Sequence, residues 1–251
     1  MKPLPDDLRS FLRERGIRPR KSLGQNFLID PNFLEAMVRD VEILPSDSVI
    51  EIGAGLGHLT EHLVEKAKKV WAFEIDPDLY ELARERFEGV TNLDLILGDG
   101  ASFAKEVSSP EDGSLHVVSN MPYADYARLL AAMLSAPFPV KSYTLMIQRD
   151  VYDRLKARPG TKEYGPWSVL VQAMCTLRFL RKAGGKLFFP PPRVASAVFR
   201  LERTSAVAPG EVNGLLESLK GVFAHRRKIW REGKRAEEFT PSELVSLLRE
   251  G

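Results

Sequence analysis

From about residue 48, short apolar runs alternate with amphipathic stretches. Val49-Ile50-Glu51-Ile52 predicts a strand that runs into Gly53-Ala54-Gly55-Leu56-Gly57, and Leu59, Leu63 and Val64 follow at helical spacing. Val70-Trp71-Ala72-Phe73 predicts a second strand ending at Glu74, after which Pro77 opens a helix in the first turn, where its missing N–H does no harm. Leu93 to Leu97 is a third strand, ending at Gly98-Asp99. Val117-Val118-Ser119 is a fourth, ending at Asn120, and Tyr143 to Ile147 a fifth. This strand–helix alternation predicts an α/β fold around a parallel, doubly wound sheet. Later the pattern loosens. Residues 167–174 fit a helix or a strand equally by period, and Ser196 to Leu201 reads as a late strand. Gly and Pro punctuate 208–214, and helices are expected over Leu215 to Trp230 and over 241–249. The expected organisation is a main domain over 1–204 and a small helical domain over 205–251.

Charge changes that picture more than composition does. The 251 residues are 44% hydrophobic and 28% charged, an ordinary globular balance. No apolar run approaches the roughly 18 residues needed to span a bilayer, and the N-terminus has no apolar core of a secretory signal. The single cysteine, Cys175, excludes an intramolecular disulfide. A cytoplasmic protein without membrane attachment is expected. The net charge is only +2, but it is segregated: +4 over residues 1–25, −11 over 26–143, +6 over 144–186, zero over 187–219, +6 over 220–235 and −3 over 236–251. Basic blocks around an acidic centre suggest a polyanion-binding rim.

In open α/β sheets ligands bind beyond the carboxyl ends of the strands. Four such ends carry informative residues: the Gly53–Gly57 turn, Glu74, Asp99 and Asn120. Glycines at 53 and 55 let the backbone approach a ligand closely. Glu74 is placed to accept hydrogen bonds from ribose hydroxyls, and Asp99 to accept one from an adenine amino group, so an adenosine-containing cofactor is indicated. The dinucleotide fingerprint would need a third glycine where His58 stands. Glu51, Gly53, Gly55 and Gly57 together instead resemble the first motif of S-adenosylmethionine-dependent methyltransferases. Asn120-Met121-Pro122-Tyr123 suits methylation of an exocyclic amine. Its lone pair is delocalised into the base, so the amine is a poor nucleophile. The Asn120 side chain and a backbone carbonyl beside Pro122 can accept its two hydrogens and aim the nitrogen at the methyl donor. Tyr123 can stack on the extruded base.

These blocks resemble the small-subunit ribosomal RNA adenine N6,N6-dimethyltransferases, the kasugamycin-sensitivity methylase family. Lys21-Ser22-Leu23-Gly24-Gln25-Asn26-Phe27-Leu28 is similar to the family's N-terminal motif. Ile50 to Thr60, Phe73 to Asp76, Gly98-Asp99 and Asn120 to Tyr123 follow its cofactor and catalytic motifs. Met146 to Arg149, Tyr164-Gly165, Ser168-Val169, Phe188 to Val194 and His225 to Lys228 extend the match over about 21–231. Met121 stands for Leu within the catalytic motif; the other departures, Pro166-Trp167, Gly100-Ala101 and Ile229-Trp230, do not touch the methyl-transfer core. The resemblance implies a Rossmann-like catalytic domain over 1–204 and a helical RNA- or ribosome-binding domain over 205–251. It implies S-adenosyl-L-methionine as cofactor, held by Asn26, Leu28, Gly53, Gly55, Glu74, Asp99 and Asn120. Asn120, Pro122, Tyr123 and Phe188 would be catalytic, with Phe188 as the far face of an aromatic sandwich. Arg226, Arg227, Lys228 and Arg231 would bind RNA. The implied reaction dimethylates two adjacent adenosines in the 3′-terminal hairpin loop of small-subunit (16S) rRNA, on an assembling 30S subunit, by direct transfer from a monomeric, metal-free enzyme.

Two other readings use the same residues. One is the large-subunit rRNA methylase group of the macrolide-resistance type; Lys21 to Gly24 and Phe188 to Val194 favour the small-subunit group. The other is a ribosome assembly factor for which binding is the main role. A nicotinamide dehydrogenase lacks a catalytic pair. His58, His62, His116 and His225 show no metal-ligand spacing, and Cys175 reads as core packing.

Overall fold

The computed structural model describes residues 1, 7–122, 125–204 and 207–250, with the side chain of residue 21 excepted. Seven strands form the central sheet: β1 (Ser48–Ile52), β2 (Lys69–Glu74), β3 (Leu93–Leu97), β4 (Leu115–Asn120), β5 (Ser142–Gln148), β6 (Cys175–Ala183) and β7 (Ser196–Arg203). Their spatial order is β3-β2-β1-β4-β5-β7-β6. The first five run parallel, and β7 inserts antiparallel between β5 and β6. Strand order reverses between β1 and β4, so a crevice opens beyond their carboxyl ends.

The helices are α1 (Leu8–Glu14), α2 (Pro31–Val41), α3 (His58–Val64), α4 (Pro77–Arg86), α5 (Phe103–Glu106), α6 (Tyr126–Leu134), α7 (Arg149–Leu155), α8 (Pro166–Met174), α9 (Val212–Ala224) and α10 (Pro241–Arg249). The sheet's two faces are covered by different sets, as the two-residue period of a strand requires. On β1, Val49 packs with Leu34, Met37, Val41 and Leu63 of α2 and α3. Its neighbours Ile50 and Ile52 face the opposite cluster, which holds Leu129 and Met133 of α6. Several helices start on residues the sequence marks: Asp30 Oδ1 accepts Phe33 N–H at 2.8 Å ahead of Pro31, and Asp76 Oδ1 accepts Asp78 N–H at 3.1 Å ahead of Pro77.

Two features differ from the sequence expectation. Residues 167–174 are helical, and a strand the pattern did not reveal, β6, follows immediately. It is an edge strand in which Arg178, Arg181 and Lys182 dilute the apolar signal. The helix expected over Leu215 to Trp230 stops at Ala224. Ile229–Arg231 pairs instead with Lys234–Arg235 across a turn where Glu232 and Gly233 take positive φ. The C-terminal helices α9 and α10 pack on α8 and share its hydrophobic cluster: Leu216, Leu219, Phe223 and Leu244 join Val169, Leu170 and Met174. Buried Tyr164 reinforces the junction by donating its hydroxyl to the Phe239 carbonyl at 2.9 Å. The expected boundary at 204/205 adjoins residues 205–206, which lie outside the described residues.

At the amino end of the sheet, His116 is fully buried between Ser142, at 2.7 Å from Nδ1, and Asp47, at 3.1 Å from Nε2. Asp47 also accepts the Leu44 and Ser114 amides, pinning the entry to β1. Burial holds the His116 imidazole below its usual range, against the opposing pull of Asp47. The unfolded chain therefore takes up a proton near the ordinary value of 6.5 that the folded chain refuses. Stability present above that pH is lost as pH falls below it. Thermal unfolding from pH 7 to pH 5 should show a drop in stability in the wild type that His116→Gln flattens.

Candidate functional site

The crevice at the β1/β4 switch point contains two adjoining cavities. The first is lined by Gly24, Gln25, Asn26, Phe27, Gly53, Gly55, Glu74, Ile75, Leu79, Asn120 and Pro122 among others. The second, of about 310 Å³, adds Ser22, Phe73, Asp99, Gly100, Asp125 and Arg128, and shares Leu23, Gly53, Ile75 and Pro122 with the first. The glycine turn takes the shape side chains resist: φ is +83° at Gly53 and +57° at Gly55, and a Cβ on Gly55 would lie 3.3 Å from the Phe27 ring. Gly57 has a different task. A Cβ there would lie 2.4 Å from Phe87, so it permits α3 to start against α4.

Glu74 holds this turn in place. Its Oε2 accepts the Gly55 N–H at 2.7 Å and its Oε1 accepts the Asp76 N–H at 2.9 Å. A carboxylate offers about four acceptor positions, so two remain for hydroxyl donors. Burial raises the Glu74 carboxyl above its usual range, with the two amides opposing. Glu51, on β1 behind the turn, is 1% exposed. Its Oε2 accepts the Thr60 hydroxyl at 2.6 Å, while Oε1 is buried without a hydrogen-bond partner among the described residues. Glu51, Leu28, Gly53, Gly55, His58 and Asn120 line a small cavity at this point. Burial drives Glu51 up to about 8, and drives the neighbouring His58 down to about 4.

Asn120 ends β4 where the cavities meet. Its Nδ2 donates to the Asn26 carbonyl at 3.0 Å, which leaves Oδ1 as the acceptor the amide can offer a ligand. The Pro122 carbonyl accepts the Asp125 N–H at 3.3 Å. Tyr123 lies outside the described residues. The N-terminal segment roofs the site. Gln25 Nε2 donates to Asp76 Oδ2 at 2.8 Å, Arg20 pairs with Asp76 at 3.2 Å and with Asp78 at 2.6 Å, and Phe27-Leu28 pairs with Phe188-Phe189 as a two-stranded ladder.

Beyond the roof, a wide cleft is lined by Arg9, Pro19, Gln25, Asn26, Gln148, Phe189 and the Pro190 to Val194 run. The structure places the two phenylalanines differently. Phe188 is 3% exposed and packs with Leu34, Met146 and Val198 in the core. Phe189 faces the cleft with the Arg9 guanidinium 5.8 Å from its ring. Consecutive strand residues point to opposite faces, and parity cannot be read from a Phe-Phe pair without its ladder. Leu28, the partner of Phe188, is buried too and lines the small cavity.

Arg226 is partly buried. Its guanidinium pairs with Glu237 and donates to the Lys162 and Thr161 carbonyls at 2.9 and 3.1 Å, a tie within the molecule. Arg227 and Lys228 are exposed beside it; Arg231, also exposed, stacks on Trp230 and donates to the Leu247 carbonyl at 3.1 Å. The Arg226 tie and the Gly160 N–H to Glu237 carbonyl bond (2.7 Å) bring exposed Arg158 and Lys162 to the same region. Two of the basic blocks therefore meet. Sequence reasoning missed Ile75, half-exposed in the cavity wall, Gln25, and Arg128, which pairs with Asp99. Only the apolar residue straight after Glu74 gave any signal.

Comparison with known proteins places this geometry. A family described as ribosomal RNA adenine dimethylase matches residues 16–232. The chain is 37% identical over 233 residues to a ribosomal RNA small subunit methyltransferase A from Pediococcus pentosaceus, covering 90% of this chain and 78% of that one. It is 36% identical over 235 residues to the protein of the same name from Pelotomaculum thermopropionicum, covering 89% and 80%. Among solved structures, a dimethyladenosine transferase from Plasmodium falciparum shares the fold with a TM-score of 0.71 at 22% identity, over 89% of this chain and 96% of that one. The 23S rRNA methyltransferase ErmE does so with a TM-score of 0.63 at 22% identity, over 89% and 98%.

The buried Glu51 gives a test of the site's electrostatics. The folded chain keeps a proton that the unfolded chain releases above about pH 4.5, so this contribution is complete below 4.5 and is lost as pH rises to about 8. Glu51→Gln should be nearly neutral at pH 5 and should raise the melting temperature at pH 8, read by thermal unfolding at the two pH values.

Proposed function

The chain belongs to the ribosomal RNA adenine dimethylase family, and from that premise we propose that it dimethylates the N6 amino groups of two adjacent adenosines in the 3′-terminal hairpin loop of small-subunit rRNA, on an assembling 30S subunit. The cofactor is S-adenosyl-L-methionine. The residues present fit it. Glu74 has acceptor capacity for ribose hydroxyls, Asp99 is a carboxylate at the nucleobase end, and the orphaned Glu51 Oε1 offers an acceptor to an ammonium at the methionine end. Asn26, Leu28, Gly53, Gly55 and Asn120 complete the proposed binding set.

When bound, the cofactor supplies an electrophilic methyl on a sulfonium. Everything else is positioning. The observation that carries the reading is the Asn120 bond to the Asn26 carbonyl, which occupies Nδ2 and leaves Oδ1 as the acceptor of a residue that lines the cofactor cavity. In the proposed mechanism Oδ1 accepts one N6 hydrogen. The Met121 carbonyl, beside Pro122, accepts the other; the Pro122 carbonyl itself is taken by the Asp125 N–H. Holding both hydrogens biases the nitrogen toward the tetrahedral geometry of the transition state. The surplus proton leaves to water after transfer, so no matched general base is required. Phe189, rather than Phe188, takes the stacking role opposite Tyr123. Arg227, Lys228 and Arg231, with Arg158 and Lys162, form the proposed phosphate-binding rim, and Arg226 braces it.

Mass analysis of small-subunit rRNA after incubation of under-methylated subunits with the protein and labelled S-adenosylmethionine tests the substrate directly. Two dimethyladenosines in the loop are expected. Stable binding to the subunits without label incorporation would favour an assembly factor, and label on large-subunit rRNA would favour the macrolide-resistance type. Asn120→Ala should keep cofactor affinity within a few-fold and lose transfer by orders of magnitude; unchanged turnover would sink the mechanism. Neutralising Arg227, Lys228 and Arg231 together should weaken subunit binding. It should also flatten the slope of log affinity against log salt by about 0.7–0.9 for each phosphate that is no longer neutralised, with cofactor affinity unaltered.

A further inference from the structure

Asp99 stands at the nucleobase end of the second cavity, yet its carboxylate is not waiting for a ligand. Arg128, from the first turn of α6, forks onto it. Nη2 reaches Asp99 Oδ1 at 3.1 Å, and Nη1 makes a closer contact with Oδ2. Oδ1 also accepts the Ala101 N–H at 2.9 Å. Three of the roughly four acceptor positions of the carboxylate are thus in use, two of them by one guanidinium. The same guanidinium holds a second carboxylate: Nε donates to Asp125 Oδ2 at 2.8 Å, and Nη2 contacts it more closely. Asp99, Asp125 and Arg128 all line the cavity.

We propose that Arg128 is a gate on the nucleobase end of the cofactor site, holding Asp99 when the site is empty and withdrawing onto Asp125 when an adenine amino group takes its place. The inference rests on the assignment of this cavity to the adenosine of the cofactor. Three features support it. The guanidinium and the 6-amino group are both N–H donors, so they compete for the same oxygens. Arg128 has a second carboxylate already in hand, three residues back on the same helical turn, so release from Asp99 does not strand its charge. The three side chains are also 40–48% exposed. The pair is therefore screened by solvent and weak enough to open. The hydrogen bonds from Arg128 hold the Asp99 carboxyl below its usual range, keeping it an acceptor for either partner.

The gate makes Arg128 and Asp125 act with opposite signs, which a merely structural triad would not do. Binding of adenosine and S-adenosylhomocysteine to the full chain is measured by calorimetry at 50 and 500 mM salt; adenosine carries no charge, so any salt effect belongs to the protein. Arg128→Gln should bind both ligands about two- to fivefold tighter, the range an exposed ion pair supports. Asp125→Asn, which removes the resting place of the guanidinium, should bind them more weakly. In the wild type, adenosine affinity should rise with salt as the Asp99 pair is screened, and in Arg128→Gln it should not respond. Weaker or unchanged binding by Arg128→Gln, with both ligands still bound by the wild type, overturns the gate alone. Failure of the wild type to bind either ligand overturns the cofactor assignment and the gate with it.

Discussion

Two backbone N–H groups converge on the Glu74 carboxylate, and the active crevice depends on that convergence. One comes from Gly55 in the turn after β1, the other from Asp76 at the start of α4. A carboxylate acceptor between two amides locks the ends of β1 and β2 to each other, and it fixes one shape for a turn that Gly53 and Gly55 leave conformationally free. Asp76 extends the lock outward, capping α4 while accepting Gln25 and Arg20 from the roof. A ligand seated here therefore meets a floor, a wall and a lid that share one chain of hydrogen bonds.

The acidic and basic halves of the chain are separated for a related reason. A small cofactor is best recognised by buried carboxylates at strand ends, where the protein's own amides satisfy them. A polyanion must be gripped from outside by exposed cations. The Arg226 tie to Glu237, Thr161 and Lys162 gives one arginine of the cluster over to holding two basic segments together, beside the proposed phosphate-binding rim.

Much of this was legible in the sequence because the sheet is parallel. Strand ends in such a sheet are collected on one edge, so Gly53, Glu74, Asp99 and Asn120 could be gathered from strand boundaries alone. What escaped depended on quantities a sequence does not carry. The placement of Phe188 and Phe189 turns on strand parity, which only the ladder with Phe27-Leu28 reveals. Arg226 and Arg227 differ in which one points at the 158–163 loop. β6 hid because an edge strand with one wet face needs few apolar residues. Arg128 could not be found at all, since its partner Asp99 lies 29 positions upstream and neither residue belongs to a repeating pattern.

The ladder between Phe27-Leu28 and Phe188-Phe189 also sets a schedule. The chain emerges from its own ribosome in order, at about 5–20 residues per second. The glycine turn, Glu74, Asp99 and Asn120 are all made before the strand that anchors the roof has been synthesised. Until residue 189 is out, Asn26 has no clasp beside it, and the amide of Asn120 lacks the fixed carbonyl that orients it. A truncated chain ending short of that ladder would carry Gly53, Glu74, Asp99 and Asn120 and still lack the partner strand that holds Asn26 beside Asn120.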